Sequence, residues 1–352
     1  NINMAYTDID KPSDYFNTVL YTGNASTQSI TGVGFSPDFI WGKNRSSVTH
    51  HALVDTVRGN TKYVKSSTNA AEATITNMVT AFGSDGFSLG ADSDMNGSSA
   101  NQVAWNWKAG TSFTNDASAT GIGSIDSTGS VNTDAGFSII SYTGTASAAT
   151  VAHGLGAVPK MIIVKTRGSS GDWSVYHSSL GNTKNLKLNT TAAQQTSASY
   201  WNNTTPTSSV FTINDEGNVN GSSVAMIAYC FAEKSGYSSM GQYTGNGNAD
   251  GTFVYTGFKP AFVMIKKTDS AGNYWHIYDN KRSTSGSNVV DDVLYPNRSD
   301  AEYSEDRIDF VSNGFKIRTT NGDINTSGGN YIFMCFSENP FTTSTGVPAT
   351  AR

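Results

Sequence analysis

The sequence predicts an all-β protein made of three tandem β-sandwich or jelly-roll-like modules of about 100 residues each. The first supporting observation is an internal repeat, because the tripeptide Tyr-Thr-Gly occurs three times. The second is a series of short apolar stretches that alternate or are rich in β-branched and aromatic residues, as strands are. The third is the recurrence of Asn-Gly and Asp-Gly dipeptides between them, which indicates tight turns.

The repeat keeps its order and spacing along the chain. Tyr21, Tyr142 and Tyr243 each begin a Tyr-Thr-Gly, and a proline follows 16 or 17 residues later. Each proline opens an apolar run that ends in lysine six residues further on. These pairs are Pro37 with Lys43, Pro159 with Lys165, and Pro260 with Lys266. Because the runs are short and continuous, they predict strands that are covered on both faces.

Aromatic residues recur near the end of each module. Phe87, Phe211 and Phe315 align, and a second aromatic residue follows each of them after 20 or 21 positions. The second set is Trp107, Phe231 and Phe336, and Trp173 and Trp275 likewise match one another, with His51 in their place in the first module. Recurring aromatic residues are expected to fill interiors, so that only unmatched residues are free to contact a partner.

The module boundaries follow from these matches. The predicted division is an N-terminal arm at 1–15, module 1 at 16–108, a Gly/Ser/Thr-rich linker or ordered insertion at 109–135, module 2 at 136–234, module 3 at 235–341 and a polar, loose tail at 342–352. One stretch, 71–82, carries apolar residues at helical spacing. Its counterpart in module 2 lacks that spacing, so we expect at most a short helix or an irregular loop there.

The composition excludes several classes of protein. Charged residues make up 14% of the 352 residues, against about 25% in ordinary soluble proteins, and the net charge is −5. An aromatic content of 11% argues for a folded chain, and the absence of a basic excess argues against a nucleic-acid partner. No apolar stretch of 18 residues and no leader are present, so we expect neither membrane insertion nor a signal peptide.

Nearly the whole chain resembles a family of phage virion proteins. The motifs that carry the resemblance are Met4–Thr7, Lys11–Phe16, Leu20–Asn24, Gly34–Trp41 with Lys43–Arg45, and Asp85–Gly90. The chain is similar to tail-fibre-like structural proteins of marine bacteriophages and cyanophages, built of repeated modules. The resemblance implies a non-enzymatic β module used on virion surfaces, often for host contact, and it implies no catalytic residue.

A candidate metal site lies in module 1. Asp92, Asp94 and Asn96 have the spacing that places three oxygen ligands on one side of a tight turn, which Ca²⁺ favours. The twelfth position of such a loop is Val103 instead of a bidentate glutamate. The alternative is an Asx-rich hairpin turn without metal. No other cofactor is expected.

A candidate binding site lies in module 2, at the unmatched residues Tyr200, Trp201, Asn202 and Asn203. An exposed tryptophan beside asparagines suits stacking on a sugar face with hydrogen bonds to its hydroxyl groups. The alternative is that Trp201 folds onto its own module, as single aromatic residues usually do.

Other chemistry has weaker support. Ser88 lies in a Gly-x-Ser-x-Gly motif, but it occupies an alternating strand, and its counterparts are Thr212 and Lys316. The five histidines do not cluster at metal-ligand spacing. Cys230 and Cys335 hold the same position in different modules, so both thiols are expected to be free.

The recurring pairs Lys43 with Arg45 and Lys165 with Arg167 stand at strand ends. There they would contact an acidic surface or be solvated.

The expected function is that of a phage virion surface protein, a tail-fibre or appendage component that adheres to host-surface glycans without catalysis. Expected partners are other virion proteins, the host glycan and further copies of the chain, with a homotrimer favoured. Repeated weak sites would give firm attachment through avidity. The alternatives are a capsid decoration or head-fibre protein, a secreted adhesin, and a polysaccharide-depolymerising enzyme, which would need paired carboxylates facing a cleft.

Overall fold

The computed structural model describes residues 6–283 and 288–348, which form antiparallel β-sheets joined by loops and four-residue helices. The all-β, sandwich-like prediction is confirmed. Residues 1–5 of the predicted arm (1–15) and residues 349–352 of the predicted tail (342–352) lie outside the described residues. Within residues 6–283 and 288–348, no helix has the length and apolarity needed to cross a bilayer.

Module 1 has one six-stranded sheet of order β1-β9-β3-β4-β5-β6 and one three-stranded sheet of order β2-β8-β7. A 3₁₀ turn at Pro12–Asp14 precedes it. Its elements are β1 (Phe16–Thr22), β2 (Gln28–Ile30), β3 (Phe39–Asn44), β4 (Ala52–Asp55), β5 (Lys62–Lys65), β6 (Ala73–Thr74), β7 (Val79–Gly83), β8 (Gly86–Leu89), α1 (Ser93–Asn96) and β9 (Asn101–Trp107). The stretch at 71–82 therefore contains strand residues and no helix, because its last apolar residues belong to β7.

Module 2 repeats this arrangement with a larger sheet. Its elements, with those of the preceding insertion, are β10 (Thr111–Asn115), α2 (Ala117–Thr120), β11 (Ser127–Asn132), β12 (Phe137–Thr143), β13 (Ala149–Ala152), β14 (Met161–Thr166), β15 (Ser174–His177), β16 (Lys184–Lys187), β17 (Gln195–Thr196), α3 (Ala198–Trp201), β18 (Val210–Ile213), α4 (Gly217–Asn220) and β19 (Ala225–Phe231). The large sheet has the order β10-β11-β12-β19-β14-β15-β16-β17, and β13 pairs with β18.

The insertion at 109–135 is ordered. Its strand β11 pairs with β12 from Ser127–Tyr142 to Asn132–Phe137, and β10 pairs with β11. The ordered-insertion alternative therefore describes this stretch, and the flexible-linker alternative is wrong.

Module 3 has two four-stranded sheets. Its described elements are β20 (Ser238–Thr244), β21 (Phe253–Tyr255), β22 (Phe258–Lys267), β23 (Trp275–Asp279), β24 (Val289–Val293), β25 (Tyr303–Val311), β26 (Gly314–Ile317), α5 (Gly322–Asn325) and β27 (Asn330–Pro340). The sheet orders are β20-β27-β22-β23 and β21-β26-β25-β24. The first order corresponds to β1-β9-β3-β4 of module 1 and to β12-β19-β14-β15 of module 2.

Each module has its own hydrophobic interior between its two sheets. In module 1, Ile40 and Val54 from the large sheet meet Phe87 and Leu89 from the small sheet. Modules 2 and 3 have equivalent interiors. The phenylalanines that recur at 87, 211 and 315 belong to these interiors, as the repeat predicts.

A fourth core lies between the three modules. In β3, Ile40 points into the interior of module 1, while Phe39 and Trp41 point to the opposite face and join this shared core. The same alternation occurs in β14 and β22, whose shared-core members are Met161, Ile163, Phe262 and Met264. The continuous apolar runs are explained by this burial on both faces, which gives β3 and β14 no exposed residue.

Aromatic rings fill the centre of the shared core. The ring centroid of Phe336 lies 5.6 Å from that of Trp107 and 6.0 Å from that of Phe231. Phe16 stacks on Phe336 at 5.0 Å. The recurring residues at 107, 231 and 336 are thus interior, as expected, but the space they fill lies between modules.

Equivalent hydrogen bonds link the modules in a closed cycle. The backbone bonds run from Glu72 N–H to Arg167 O (3.0 Å), from Gln194 N–H to Thr268 O (2.8 Å) and from Glu302 N–H to Arg45 O (2.9 Å). The indole N–H of Trp173 donates to Lys65 O in module 1, and that of Trp275 donates to Lys187 O in module 2. The contacts therefore relate module 1 to 2, 2 to 3, and 3 to 1 in the same way, as a quasi-threefold arrangement requires.

The interface between modules 1 and 2 contains a buried ion pair. Arg58 Nε lies 2.6 Å from Asp55 Oδ2, and neither side chain is exposed. The hydroxyl group of Tyr229 in module 2 donates to the same carboxylate at 2.8 Å. Glu72 continues the network by pairing with Arg167 of module 2 at 2.8 Å.

The interface between modules 3 and 1 repeats this network. Arg282 pairs with buried Asp279 and with Glu302, which also binds Arg45 of module 1. The indole N–H of Trp105 donates to Asp279 Oδ2 at 2.9 Å, in the place of the tyrosine hydroxyl. The arginines that recur at strand ends, Arg45 and Arg167, therefore bind carboxylates of a neighbouring module and do not stand free in solvent.

The interface between modules 2 and 3 uses neutral residues at the same positions. His177, Leu180 and Gln194 replace Asp55, Arg58 and Glu72. The Nε2 atom of His177 lies 3.2 Å from Phe333 O. The same junction is therefore built twice with buried charge and once without it.

We predict that Arg58→Leu alone lowers the free energy of unfolding by about 3–5 kcal/mol, because it leaves the Asp55 carboxylate buried without its cation. The double variant Asp55→His with Arg58→Leu copies the neutral residues of module 2 and should recover most of that loss. Denaturant unfolding of both variants measures the difference. Equal losses in the single and double variants would contradict this account.

Asp292 should make stability depend on pH. Burial and the nearby Glu302 carboxylate raise the pKa of Asp292 from 3.8 to about 6, although Arg45 lies 3.3 Å away. At pH values between these two pKa values, the folded chain holds a proton on Asp292 that the unfolded chain has lost. The contribution of Asp292 to the free energy of unfolding therefore falls as the pH rises through this range, and it stays constant at higher pH. Asp292→Asn removes that dependence.

The melting temperature of Asp292→Asn minus that of the wild type should therefore rise by about 2 °C between pH 4 and pH 7 and change no further at pH 8. Thermal unfolding of both proteins followed by circular dichroism gives this difference. Parallel profiles over the whole range would rule out the role given to Asp292.

Candidate functional site

The recurring Tyr-Thr-Gly motif has a structural role in each module. The hydroxyl groups of Tyr21, Tyr142 and Tyr243 donate to backbone carbonyls of α1, α4 and α5 at 2.6–2.7 Å. The glycine that follows packs against the loop after the helix. A Cβ atom on Gly23 or Gly144 would lie 2.1 or 2.3 Å from the carbonyl oxygen of Gly97 or Gly221. The motif therefore fastens the first strand of each module to its short helix.

A buried asparagine completes the same connection. The side-chain amide of Asn96 donates to Ser26 O at 2.6 Å and to Gly90 O at 2.7 Å, and its oxygen accepts from Asn24 N–H at 2.8 Å. Asn220 and Asn325 make equivalent bonds in the other modules.

These contacts define the surroundings of the calcium candidate. The amide oxygen of Asn96 accepts from the backbone, and Asp92 caps α1 by accepting from Asp94 N–H at 3.0 Å. The Asp94 carboxylate lies 3.7 Å from Lys65 Nζ. The loop thus has the Asx-turn hydrogen bonds of the metal-free alternative. Across the described part of the chain, no group of three or more His, Cys, Asp and Glu side chains could hold a metal ion.

The recurring lysines bind the loops that follow their strands. Lys43 Nζ donates to Asn44 O at 2.6 Å, and Lys165 and Lys266 donate to Gly171 O and Asn273 O. Burial lowers the pKa of each ammonium group to about 8. These cations are therefore part of the fold.

Four of the five histidines (His51, His153, His177 and His276) and both cysteines lie in the interior, while His50 is half-buried. Burial lowers the pKa of His153 and His177 to about 4, so both are neutral at pH 7. Cys230 and Cys335 are free thiols in the separate interiors of modules 2 and 3. Burial raises the pKa of Cys230 to about 12, which disfavours the reactive thiolate.

Trp201 is not at the surface. It ends α3 with 2% of its area exposed, and its ring lies edge-on to Tyr176 at 5.9 Å. Tyr200 is equally buried, while Asn202 and Asn203 are exposed with φ of 49°. The expectation of an exposed tryptophan beside asparagines is therefore wrong, because the helix turns the ring into the interior of module 2.

A surface groove of about 570 Å³ lies where the insertion joins module 2. We call it the insertion groove, and its walls are Ser124–Thr128, Ser141–Thr145 and Ala225. It exists because β11 continues the sheet beyond β12, placing Thr128 opposite Ser141. Modules 1 and 3 end this sheet at β1 and β20, so they lack the corresponding wall.

The insertion groove is rich in hydroxyl groups. Thr128, Thr143 and Thr145 are exposed, and the hydroxyls of Thr128 and Thr143 bond to none of the described residues. Arg167 donates to Ser141 Oγ at 3.3 Å at one wall.

Asp126 supplies the single carboxylate of the lining, and one of its oxygens accepts from Ala117 N–H at 2.9 Å. The lining can therefore hydrogen-bond a polyhydroxylated ligand, while the two carboxylates that glycoside hydrolysis uses do not occur together in it. The sequence signal for the groove was the lack of any counterpart to 109–135 in the other modules.

Comparison with known proteins places the chain in a family. Residues 11–340 match the family model described as a domain of unknown function, DUF7483. The chain belongs to this family. The match spans all three modules and the insertion, so the DUF7483 unit includes the shared core. No curated protein matches the chain, and no solved structure matches it.

We predict that Asn96→Ala destabilises the protein by about 1–3 kcal/mol, because it leaves the carbonyl groups of Ser26 and Gly90 without their buried donor. Asn101→Ala, on the exposed start of β9, is the control and should change stability by less than about 0.5 kcal/mol. Chemical unfolding compares the two variants, and similar losses would argue against a special role for Asn96.

Proposed function

We propose that this DUF7483 protein is a non-enzymatic component of a phage virion surface, a tail fibre or related appendage, and that it adheres to host-surface glycans. The observation that carries the proposal is the insertion groove. It is formed by the stretch without counterpart in the repeat, and hydroxyl groups line it. Such a lining suits a polyhydroxylated ligand.

The roles of the repeated polar residues support the same proposal. The recurring tyrosines, asparagines, lysines and arginines are engaged in bonds within the fold. The walls of the insertion groove, in contrast, come from a stretch that has no counterpart in modules 1 and 3. A rigid scaffold with variable surfaces is suited to display and attachment.

Partners follow from this role. The protein would contact other virion proteins and the host glycan, and a homotrimer is the oligomer we favour. Several copies, each with a weak site, would attach firmly because dissociation requires all contacts to break together.

The test combines location and binding. Gold-labelled antibodies against the chain should mark the tail appendages of phage particles, and the purified chain should bind host cells. We predict that Thr143→Ala with Asp126→Asn weakens cell binding by about tenfold, the equivalent of one or two hydrogen bonds to a sugar.

The matched control is Thr22→Ala, at the same place in the Tyr-Thr-Gly of module 1, where no groove wall stands. It should bind cells as the wild type does. Equal binding by all variants would remove the groove from the proposal. Gold on the capsid would favour a decoration protein, and the release of reducing ends from host polysaccharide would favour a depolymerase.

A further inference from the structure

Module 3 carries two exposed aromatic rings on the outer face of one edge strand of its second sheet. Phe253 and Tyr255 are 45% and 64% exposed, and Val254 between them points into the interior. Their strand, β21, forms the edge of the sheet β21-β26-β25-β24. We call these two residues and their surroundings the module 3 aromatic face.

The fold does not require aromatic residues at these positions. The equivalent strands of the three modules are β2, β13 and β21, which pair with β8, β18 and β26. Counted along these pairings, Phe253 occupies the place of Ser29 in module 1 and of Thr150 in module 2. By the same register, Tyr255 stands where the other modules have Thr31 and Ala152. Small or polar residues therefore serve the same strand twice, and the two rings are peculiar to module 3.

The two rings are free to stack on a ligand. Neither makes a ring contact with another aromatic residue in the described chain, and the hydroxyl group of Tyr255 bonds to none of the described residues. Being two residues apart on a strand, the side chains are about 6.6 Å apart on one face. Gly314 lies opposite Tyr255, and a Cβ there would be 3.2 Å from the Phe253 ring. The same Cβ would lie 2.0 Å from Val254 O, so glycine lets both the backbone of β21 and the Phe253 ring lie close to β26.

Charged side chains border the rings without giving the face a net charge. Lys316 is opposite Phe253 and pairs with Asp250 at 2.7 Å. Arg318 lies 3.3 Å from Asp309 and 3.6 Å from Asp250. Two cations and two carboxylates can hydrogen-bond the hydroxyl groups of a ligand, but together they offer no attraction to a strongly charged polymer.

We propose that the module 3 aromatic face binds the sugar rings of a neutral glycan, with stacking on Phe253 and Tyr255 and hydrogen bonds to the charged border. This site rests on the proposed role in glycan adhesion and adds a second contact to it. A protein partner is disfavoured, because a stable interface buries about 800 Å² on each side, and here charged groups directly flank two rings.

The test uses the full chain and exchanges the rings for the residues of module 1. Phe253→Ser with Tyr255→Thr should keep the thermal unfolding midpoint, because Ser29 and Thr31 occupy those places in a folded module. Native gels cast with neutral polysaccharides, such as dextran, mannan and galactomannan, measure binding through slowed migration. Gels with alginate provide the acidic comparison.

We expect at least one neutral polysaccharide to slow the wild type, and we expect the variant's association constant for it to fall by about tenfold or more. Thr22→Ala, which lies outside both the insertion groove and the module 3 aromatic face, should migrate as the wild type does. Equal retardation of wild type and ring variant, retardation by alginate alone, or no retardation in any neutral gel would each overturn the proposal.

These outcomes separate the site from the general function. If the ring variant loses retardation but antibodies do not label phage particles, the site stands and the virion role fails. If particles are labelled and cells are bound equally by wild type and ring variant, the virion role stands and the site fails.

Discussion

The structure depends on the burial of the central strands of all three modules on both faces. One face of each large sheet closes the interior of its own module, and the other contributes to the core that the modules share. Because aromatic side chains occupy that core, a module separated from the others would expose rings such as Trp107 and Phe336 to water. The relative positions of the modules are therefore fixed by the same hydrophobic effect that folds each of them.

Polar groups at the interfaces between modules add directional hydrogen bonds and ion pairs to the contacts of this core. Removing the ions of Arg58 and Asp55 from water is costly. The cost is met by hydrogen bonds that Arg58 donates to Leu53 O and to the Tyr229 hydroxyl group, which in turn donates to Asp55. His177 and Leu180 show that neutral residues close the same junction. Buried charge is therefore one of two solutions for the same junction in this fold.

Much of this fold could be predicted from the sequence, since strands, turns and recurring aromatic residues follow from local spacing. The shared core could not, because a repeated apolar residue gives the same signal whether it faces its own module or a neighbour. Of the two positions that the sequence left open for Trp201, exposed or folded onto its own module, the structure has the second. It stands five residues after Thr196, as buried Val79 stands five after Thr74, so the spacing pointed to an interior position despite the change of residue type. The insertion groove and the exposed rings depend on strand register, which composition does not reveal.

The covalent linkage of the three modules has a consequence for how such a surface can diversify. In an assembly of identical chains, every substitution appears at each symmetry-related place, so improving one contact alters the others as well. Here the quasi-threefold scaffold is a single polypeptide, and module 2 could acquire an extra pair of strands while modules 1 and 3 kept the shorter sheet. The outer surface of each module can therefore change independently of the other two. A single polypeptide can in this way present binding surfaces that differ from module to module.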